Sequence, residues 1–535
     1  MNRWSALALL LAVAGALALR CPKLDIRPLH NDEAVNAVKL SALWEKGVYT
    51  YDLEEFHGPA LYYAALPFLW LSSARDSDQL GAITMRLVPV AFGTGLILLL
   101  LLLADGLGRL ATVWAAIFTA VSPAMVFYSR YFIHEMLLVF FTLLALASGW
   151  RYQQTRQARW AALAGVGLGL MYATKETFVF TVVAMGLAAA ATVWWNQWWA
   201  QRSALVSGGP TRQRASPFRL RPLAARCNWR HLALVLIVAV LVSHLLFSSF
   251  FMNWIGPIDS LRTYLPWLRR AGGHSPHIHP WYFYLERLAW FHQPEGPVWS
   301  EALILALAAV GAVVAFFSNK TILANPAFAR FLAFYTVILT AIYSLISYKT
   351  PWCALNFLHG MILLAGIGAA ALLLLCRRVL SQALVVAALV AGTSHLASEA
   401  WRASQTYASD RNNPYVYAQT SPDLLRLVER VEAIGRVAPL GRETVIKVIA
   451  PESYWPLPWY LRKFKHVGWW DELPPDPYAP ITIVSAKLRA TLDEKSNKAC
   501  LMAGLYELRP GIFLELYVET ELWKKFVATL PRESE

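Results

Sequence analysis

The stretch AITMRLVPVAFGTGLILLLLLLA, residues 82–104, indicates the kind of fold that this chain adopts. It runs for 23 residues with a single charged side chain, that of Arg86. About 20 apolar residues are enough for a helix to cross the hydrocarbon core of a bilayer. A crossing segment must satisfy its own backbone hydrogen bonds, and a helix does so. The stretch therefore predicts a transmembrane helix.

Similar apolar runs recur along the 535 residues, of which 57% are hydrophobic and 15% charged. The first run is either a signal peptide or a retained helix, and Arg20 directly after it is a poor cleavage context, which favours the helix. We predict a polytopic α-helical membrane protein with about 11 transmembrane helices. They are expected at 4–19, 82–104, 110–127, 133–149, 160–174, 177–196, 231–250, 299–317, 331–347, 354–375 and 380–398.

Basic residues in the connecting loops set the orientation of these helices. If residues 21–80 lie outside, the inside loops include 150–159, with three arginines, and 197–230, with seven arginines and no acid. Lys and Arg are enriched in the cytoplasmic loops of membrane proteins, so this orientation is predicted. The external loops are then 21–80 and 251–298. The apolar run 60–71 becomes an interfacial or re-entrant helix, because counting it as a span would invert everything after it.

Composition excludes several classes of function. A net charge of +14 would suggest nucleic acid in a soluble protein, but here topology accounts for it, and no nucleic-acid partner is expected. The five cysteines have neither metal-type spacing nor a disulfide framework. The glycines Gly165, Gly167 and Gly169 lie inside an apolar span, where they indicate helix packing rather than a phosphate loop. No site for a soluble nucleotide is therefore evident, and a substrate donor would be expected to arrive through the bilayer.

Two adjacent carboxylates follow the first apolar run, in the sequence His30-Asn31-Asp32-Glu33. Consecutive positions on a helix cannot face one point, so one acid can act on a substrate while the other binds a metal, caps a helix or pairs with a base. A carboxylate can remove a proton from an acceptor hydroxyl or amide. The same residues also suit a helix N-terminus before 34–40. Spacing leaves both interpretations open, and Asp32 and Glu33 are the candidate catalytic residues.

Three basic residues lie at the outer ends of predicted spans: Arg130, Lys175 and Lys349. Cations at the level of lipid head groups can bind the phosphate of a leaving group, and we predict this role for all three. The alternative is that each one snorkels towards water. Ionisable groups at membrane depth usually line a cavity or a pathway. Further substrate-site candidates on the same face are His57, Tyr131, His134, Glu135, Glu176 and Trp352.

Metal binding is left open by the sequence. Glu135 and Glu176 can pair with Arg130 and Lys175, or they can help to hold a divalent metal ion. The cluster His274, His277 and His279 can bind a transition metal or belong to a solvated loop, since prolines interrupt it and it contains no acid. The metal-ligand candidates outside that cluster are Asp32, His134 and Glu135.

The composition changes after residue 400. A helical pattern covers Asp423–Val437, and β-branched runs follow at 444–450 and 481–484, with a strand pair expected near 505–518. This alternation predicts a soluble α/β domain over 401–535, on the same outer side as the loops, after a membrane domain over 1–400.

These motifs resemble those of the GT-C superfamily of integral-membrane glycosyltransferases. The group nearest to the chain includes the protein O-mannosyltransferases and the lipid A aminoarabinose transferase, and within it the "flippase-activity-associated" membrane proteins. The resemblance covers about residues 1–400. It is carried by Asn31-Asp32-Glu33-Ala34, by His57-Gly58-Pro59 through Tyr63, by Ser129-Arg130-Tyr131 through Met136, and by Thr174-Lys175 with Lys349-x-Pro351.

The resemblance implies a polyprenyl-phosphate-linked sugar donor, inversion at the anomeric carbon, and a first-loop aspartate as base, which is Asp32 here. The sequence departs from the family pattern at His134-Glu135, where mannosyltransferases have an aliphatic residue and Asp. We therefore expect a multi-pass protein of the cell membrane whose extracytoplasmic face transfers sugar to a glycan, lipid or protein acceptor. The alternative is a non-catalytic carrier that binds lipid-linked sugars with the same cations and needs no base.

Overall fold

The computed structural model describes residues 3–53, 57–206, 228–271, 277–317, 324–495 and 498–531. An apolar helix lies at each predicted span, so the polytopic helical fold is confirmed. Up to residue 401 the helices are α1 Arg3–Arg20, α2 Asn31–Lys46, α3 Ala60–Leu71, α4 Ala82–Leu107, α5 Arg109–Val121, α6 Pro123–Tyr128, α7 Glu135–Thr155, α8 Ala158–Tyr172, α9 Phe178–Val206, α10 Trp229–Phe247, α11 Gly256–Arg262, α12 Tyr264–Ala271, α13 Phe283–Ala289, α14 Ala302–Phe317, α15 Pro326–Leu345, α16 Leu355–Leu375 and α17 Val379–Trp401.

Helix length separates two groups among these elements. Within the described residues, eight helices are long and apolar enough to cross a bilayer, namely α1, α4, α7, α9, α10, α15, α16 and α17. Three more coincide with predicted spans but are shorter, with 13 residues in α5, 15 in α8 and 16 in α14. The total of 11 spans therefore stays a prediction. The predicted short helix over 60–71 is α3, with 12 residues.

One predicted span is divided by a proline. The expected helix over 110–127 ends at Val121, and α6 begins at Pro123. Proline has no N–H to donate to the preceding turn, and its fixed φ angle suits the first position of a new helix, which Pro123 occupies. Ser122 caps that helix, because its hydroxyl accepts a hydrogen bond from the Met125 backbone N–H. The chain therefore bends just before the residues that approach the candidate site.

The C-terminal region is a small α/β domain, as predicted. Its helices are α18 Asp423–Val437, α19 Leu457–Tyr460, α20 Leu492–Lys495 and α21 Thr520–Val527. Its strands are β1 Ile446–Ile449, β2 Val467–Trp470, β3 Ile481–Ser485, β4 Cys500–Arg509 and β5 Ile512–Glu519, in the sheet order β2-β1-β3-β5-β4. β1 pairs in parallel with β2 and β3, whereas β5 pairs antiparallel with β3 and β4. Strand β2 was not expected from the sequence.

The α/β domain docks on the first connecting loop of the membrane domain. The Tyr460 hydroxyl accepts a hydrogen bond from the Leu29 backbone N–H at 2.8 Å. The Arg462 guanidinium donates to the backbone carbonyls of Ser77, Asp78 and Leu80 at 3.0–3.2 Å. We call this side of the membrane domain, which carries residues 21–80, 248–301 and 346–353, the loop face.

A short segment connects the last membrane helix to this domain and crosses the loop face. We call residues 412–420 the strap. Its backbone carbonyls accept hydrogen bonds from Trp299 at 2.7 Å, Arg287 at 2.6 Å and Tyr128 at 2.8 Å. The Thr420 hydroxyl donates to the Leu29 carbonyl at 2.8 Å. These bonds fix the strap against both the membrane domain and the first loop.

Candidate active site

The candidate active site is built on the N-terminus of α2. His30 is the N-cap, and its ring Nδ1 accepts a hydrogen bond from the Asp32 backbone N–H at 3.1 Å. In return, the Glu33 carboxylate accepts one from the His30 backbone N–H at 3.0 Å, which completes a capping box. The helix-cap interpretation of these acids is therefore confirmed. The cap also sends the two adjacent carboxylates in different directions.

Glu33 is a structural residue. Its side chain is 0% exposed and forms a bidentate ion pair with Arg86, at 2.8 Å from Nε and 2.7 Å from Nη2. The Phe132 backbone N–H donates to the same carboxylate at 2.9 Å. Burial raises the pKa of Glu33, but the charge of Arg86 outweighs burial and leaves that pKa below its ordinary value. Both oxygens are occupied, so the predicted catalytic role of Glu33 does not fit this structure.

Asp32 has the opposite environment. Its side chain is 46% exposed and accepts no hydrogen bond from the described part of the chain. The nearest ring nitrogen, Nδ1 of His30, lies 4.0 Å from Oδ1 of Asp32. His277 and Tyr131 lie close enough to interact electrostatically with its carboxylate. An accessible carboxylate at a helix N-terminus is available to take a proton or to hold a cation.

Lys175 and Glu135 form a buried ion pair. The Lys175 ammonium donates to the Glu135 carboxylate, and both side chains are 6% exposed. The pair lines a narrow cavity together with Tyr343, Trp352, Cys353 and Asn356. The Trp352 ring packs edge-on against the His30 ring at 5.5 Å. Trp352 therefore connects the cavity of Lys175 to the helix that carries Asp32.

Lys349 also lies on the loop face, and it has no acidic partner among the residues that the structure describes. Its buried ammonium donates to the backbone carbonyls of His279, at 3.1 Å, and of Ile346. Burial lowers the pKa of the Lys349 ammonium below its ordinary value. A bridge between Ile278 and Tyr348 holds this segment beside the histidines. A lysine with only carbonyl partners retains a net positive charge for an anion.

Arg130, in contrast, bonds to a different part of the chain from Lys349. Its buried guanidinium donates to the backbone carbonyls of Arg20 at 2.9 Å, Pro22 at 2.6 Å and Lys23 at 2.8 Å. These bonds fix the turn after α1. The neighbouring Tyr131 hydroxyl donates to Gln419 of the strap. Three of the five guanidinium N–H groups of Arg130 thus hold this turn, and its expected phosphate contact stays a prediction.

A second polar cluster lies around His57. Its Nδ1 is 2.7 Å from Glu176, whose other oxygen accepts from the Tyr51 hydroxyl at 3.0 Å. The Trp267 ring stacks on the His57 ring at 5.4 Å, and His134 packs edge-on at 5.1 Å. Burial raises the pKa of Glu176, but His57 outweighs it and leaves that pKa below its ordinary value. The expected pairing of Glu176 with Lys175 is replaced by the pairing with His57.

The histidines of the second external loop contact the strap. His277 Nδ1 and His279 Nε2 lie 2.7 Å and 2.9 Å from the Tyr417 hydroxyl. His274 lies outside the described residues. Within those residues, no three His, Cys, Asp or Glu side chains come together as a metal site. The candidate set Asp32, His134 and Glu135 is separated, because His134 bonds to the Gly58 carbonyl at 3.0 Å and Glu135 pairs with Lys175.

Four residues that build the site were not identified from the sequence. They are His30 at the N-cap, Arg86 in α4, Gln419 and Tyr417. Arg86 had a sequence signal, since it is the one charge in the span at 82–104 and a buried cation needs a partner. The strap residues had none, because their contacts join positions almost 400 residues apart.

Comparisons with known proteins agree with this architecture. Residues 59–254 match the family model for dolichyl-phosphate-mannose-protein mannosyltransferase, PMT. ArnT from Cupriavidus metallidurans in the apo state has a similar structure, with a TM-score of 0.62 at 12% identity over 97% of this chain and 98% of that chain. Its complex with undecaprenyl phosphate gives 0.59 at 13% identity over 96% and 98%. No curated protein matches the sequence.

A third structure supports the same fold. The Archaeoglobus fulgidus oligosaccharyltransferase tethered with an acceptor peptide gives a TM-score of 0.52 at 12% identity, over 87% of this chain and 64% of that chain. At such identities the likeness shows the fold. The chain thus has the GT-C membrane fold, its residues 59–254 are similar to the PMT family, and the resemblance predicted from its motifs is confirmed.

Replacing Glu33 with Gln tests its structural role. The change leaves Arg86 buried without a counter-charge, which should cost about 3 kcal/mol of unfolding free energy. We expect a lower Tm in detergent for Glu33→Gln. Asp32→Asn, one position away and half exposed, should keep the wild-type Tm. Equal stability of Glu33→Gln and wild type would contradict the assignment.

Replacing Glu176 with Gln tests the pair with His57 through pH. A lowered carboxyl pKa adds stability above the ordinary value of 4.5, and this contribution is lost as the pH falls through the lower value of the folded protein. Glu176→Gln should therefore lower the Tm near neutral pH, and the deficit should shrink as the pH falls below 4.5. The control is Glu295→Gln, which removes an exposed pair with Arg411. A deficit that stays constant with pH would show that the ion pair is not its cause.

Proposed function

We propose that this protein is a glycosyltransferase that moves a sugar from a polyprenyl-phosphate-linked donor to an acceptor on the extracytoplasmic side of the membrane. One observation carries the proposal. An accessible carboxylate, Asp32, and two buried cations, Lys175 and Lys349, lie on one face of a GT-C fold. The orientation is supported by the arginine-rich loops at 150–159 and 197–230, which the positive-inside rule assigns to the cytoplasm.

The comparisons support a lipid-phosphate donor. The matched family model is described by dolichyl-phosphate-mannose, and the similar ArnT structure holds undecaprenyl phosphate. Both names contain a polyprenyl phosphate, and the one in the family description carries mannose. A donor of this kind presents one phosphodiester at the membrane surface, with its chain in the bilayer. Lys349 and Lys175 lie at the ends of membrane helices, where such a phosphate would be placed.

In the proposed reaction, Asp32 takes the proton from the acceptor's nucleophilic group. The acceptor forms a bond to the anomeric carbon from the face opposite the phosphate, and the bond between that carbon and the phosphate oxygen breaks. The electron pair goes to the phosphate, so the products are the glycosylated acceptor and the polyprenyl phosphate. Lys349, whose partners among the described residues are backbone carbonyls, stabilises the charge developing on that phosphate. Glu33 holds the scaffold and takes no part in the chemistry.

The base assignment is tested in proteoliposomes with a panel of radiolabelled polyprenyl-phosphate sugars and acceptor extracts. Asp32→Asn should reduce transfer by about 100-fold or more, since loss of a general base typically costs 10²–10⁴. Donor binding should stay within a factor of two. An Asp32→Asn protein that transfers sugar at the wild-type rate contradicts the assignment. Donor binding without sugar release in the wild type, with any acceptor, would instead support the carrier function.

Lys349→Ala tests the phosphate contact. Loss of a buried charge-assisted hydrogen bond should weaken donor binding by about 10- to 100-fold. Burial lowers the pKa of Lys349, so its ammonium should lose its proton at a lower pH than an exposed lysine does. Donor binding by the wild type should weaken as the pH rises through this value. The binding of Lys349→Ala should not show this alkaline decrease. Lys487→Ala, at an exposed lysine of the α/β domain, is the control. Unchanged donor affinity and pH profile in Lys349→Ala would exclude the contact.

A further inference from the structure

His30 is bonded on both sides of its ring, and the two bonds come from opposite ends of the chain. Nδ1 accepts from the Asp32 backbone N–H at 3.1 Å. Nε2 lies 3.0 Å from the backbone carbonyl of Tyr417 in the strap. The ring is 3% exposed, and Trp352 and Tyr131 pack against it at 5.5 Å and 5.9 Å. Its position is therefore determined from every side.

These two partners fix the location of the ring's proton. A backbone N–H can only donate, so Nδ1 must be unprotonated. A carbonyl can only accept, so Nε2 carries the proton and donates it to Tyr417. The alternative tautomer would place an N–H on Nδ1, which lies 4.0 Å from the Asp32 carboxylate. That N–H would leave the Asp32 backbone N–H without its acceptor and would place a donor beside the carboxylate that is to accept the substrate's proton.

The strap holds the carbonyl of Tyr417 in place for this bond. The Tyr417 hydroxyl contacts His277 and His279, so its side chain is fixed by the second external loop. Two residues further on, Gln419 donates to the Pro28 carbonyl at 3.3 Å and accepts from Tyr131. Thr420 then bonds to Leu29. Three strap residues thus bond to three consecutive residues of the first loop, Pro28, Leu29 and His30.

We propose that His30 is a positioning residue for Asp32 and that the strap, through the Tyr417 carbonyl, locks His30 in the tautomer that leaves the Asp32 carboxylate unpaired. The C-terminal segment therefore completes the catalytic site, although it carries no acid or base of the reaction. This inference rests on the proposed function in so far as Asp32 is the base.

Two variants separate the two bonds of His30. In His30→Asn the side-chain oxygen can still accept the Asp32 N–H, since Asn is a good N-cap, but nothing reaches Tyr417. In His30→Gln the amide N–H can replace Nε2, but the acceptor for the cap is lost. Each variant should lower kcat by about 10- to 100-fold, with the donor KM within a factor of two, because a small misplacement of a reacting group costs this much.

A double-mutant cycle distinguishes positioning from general structural support. In an Asp32→Asn background, neither His30 variant should lower the residual transfer rate further, because the group that it positions is already gone. The matched control is Thr482→Val, which removes a buried side-chain hydrogen bond to the Pro477 carbonyl inside the α/β domain, outside the strap, and should keep kcat within a factor of two. Wild-type kcat in His30→Asn, full additivity in the cycle, or an equal loss in Thr482→Val would overturn the proposal.

Hydrogen exchange separates this test from the test of the proposed function. The Asp32 amide is bonded to His30 Nδ1, so His30→Gln should speed deuterium uptake in a peptide covering residues 31–34, whereas His30→Asn should leave it at the wild-type rate. This readout needs no substrate. Inactivity of the wild type with every donor would count against the proposed function alone. Unchanged uptake in His30→Gln would overturn the positioning role by itself.

Discussion

The bidentate ion pair between Glu33 and Arg86 is the interaction on which the rest of the site depends. Both side chains are fully enclosed, at 0% and 1% exposure, and a charge in such a place is tolerated only with a partner. Arg86 comes from the membrane helix α4 and also donates to the carbonyls of Leu24, Arg27 and Pro28. One guanidinium therefore ties the first loop, the start of α2 and a membrane helix together. The direction of α2, and hence of Asp32, follows from it.

The two adjacent acids show how one local motif can divide structural and chemical tasks. The capping box requires the residue three places after the N-cap to turn back towards the cap, and Glu33 does so. The preceding position then faces outwards, where Asp32 is half exposed. Two carboxylates in one pocket would raise each other's pKa and compete for the same cations. Here the helix geometry keeps them apart, so each carboxylate has its own surroundings.

The sequence predicted well what depends on local patterns. Apolar length predicted a helix at each span, and α18 begins and ends where the periodic pattern at Asp423–Val437 does. Proline chemistry explains the division of 110–127, which hydropathy alone does not detect. Strand β2 was missed because it has only four residues and includes Gly468, which weakens any strand pattern.

The residues of the site were harder to assign. Arg130 and Lys349 look alike in sequence, since both are cations at the end of a span. Only the fold shows that Arg130 donates to three carbonyls of the turn after α1, whereas Lys349 donates to the carbonyls of His279 and Ile346 on the loop face. The link from His30 to Tyr417 spans 387 positions and uses a backbone carbonyl, so no side-chain pattern reports it.

The strap also has a consequence for how the protein is made. Tyr417, Gln419, Tyr460 and Arg462 bond to residues that leave the ribosome some 380–430 positions earlier. During synthesis the first loop and its two acids reach the membrane with those partners still missing. A stretch of chain made long after the first loop thus supplies these contacts. A chain made only as far as α17 has its membrane helices but lacks the bond that joins His30 to Tyr417. The first loop therefore cannot reach its final set of bonds until the strap and the α/β domain have been made.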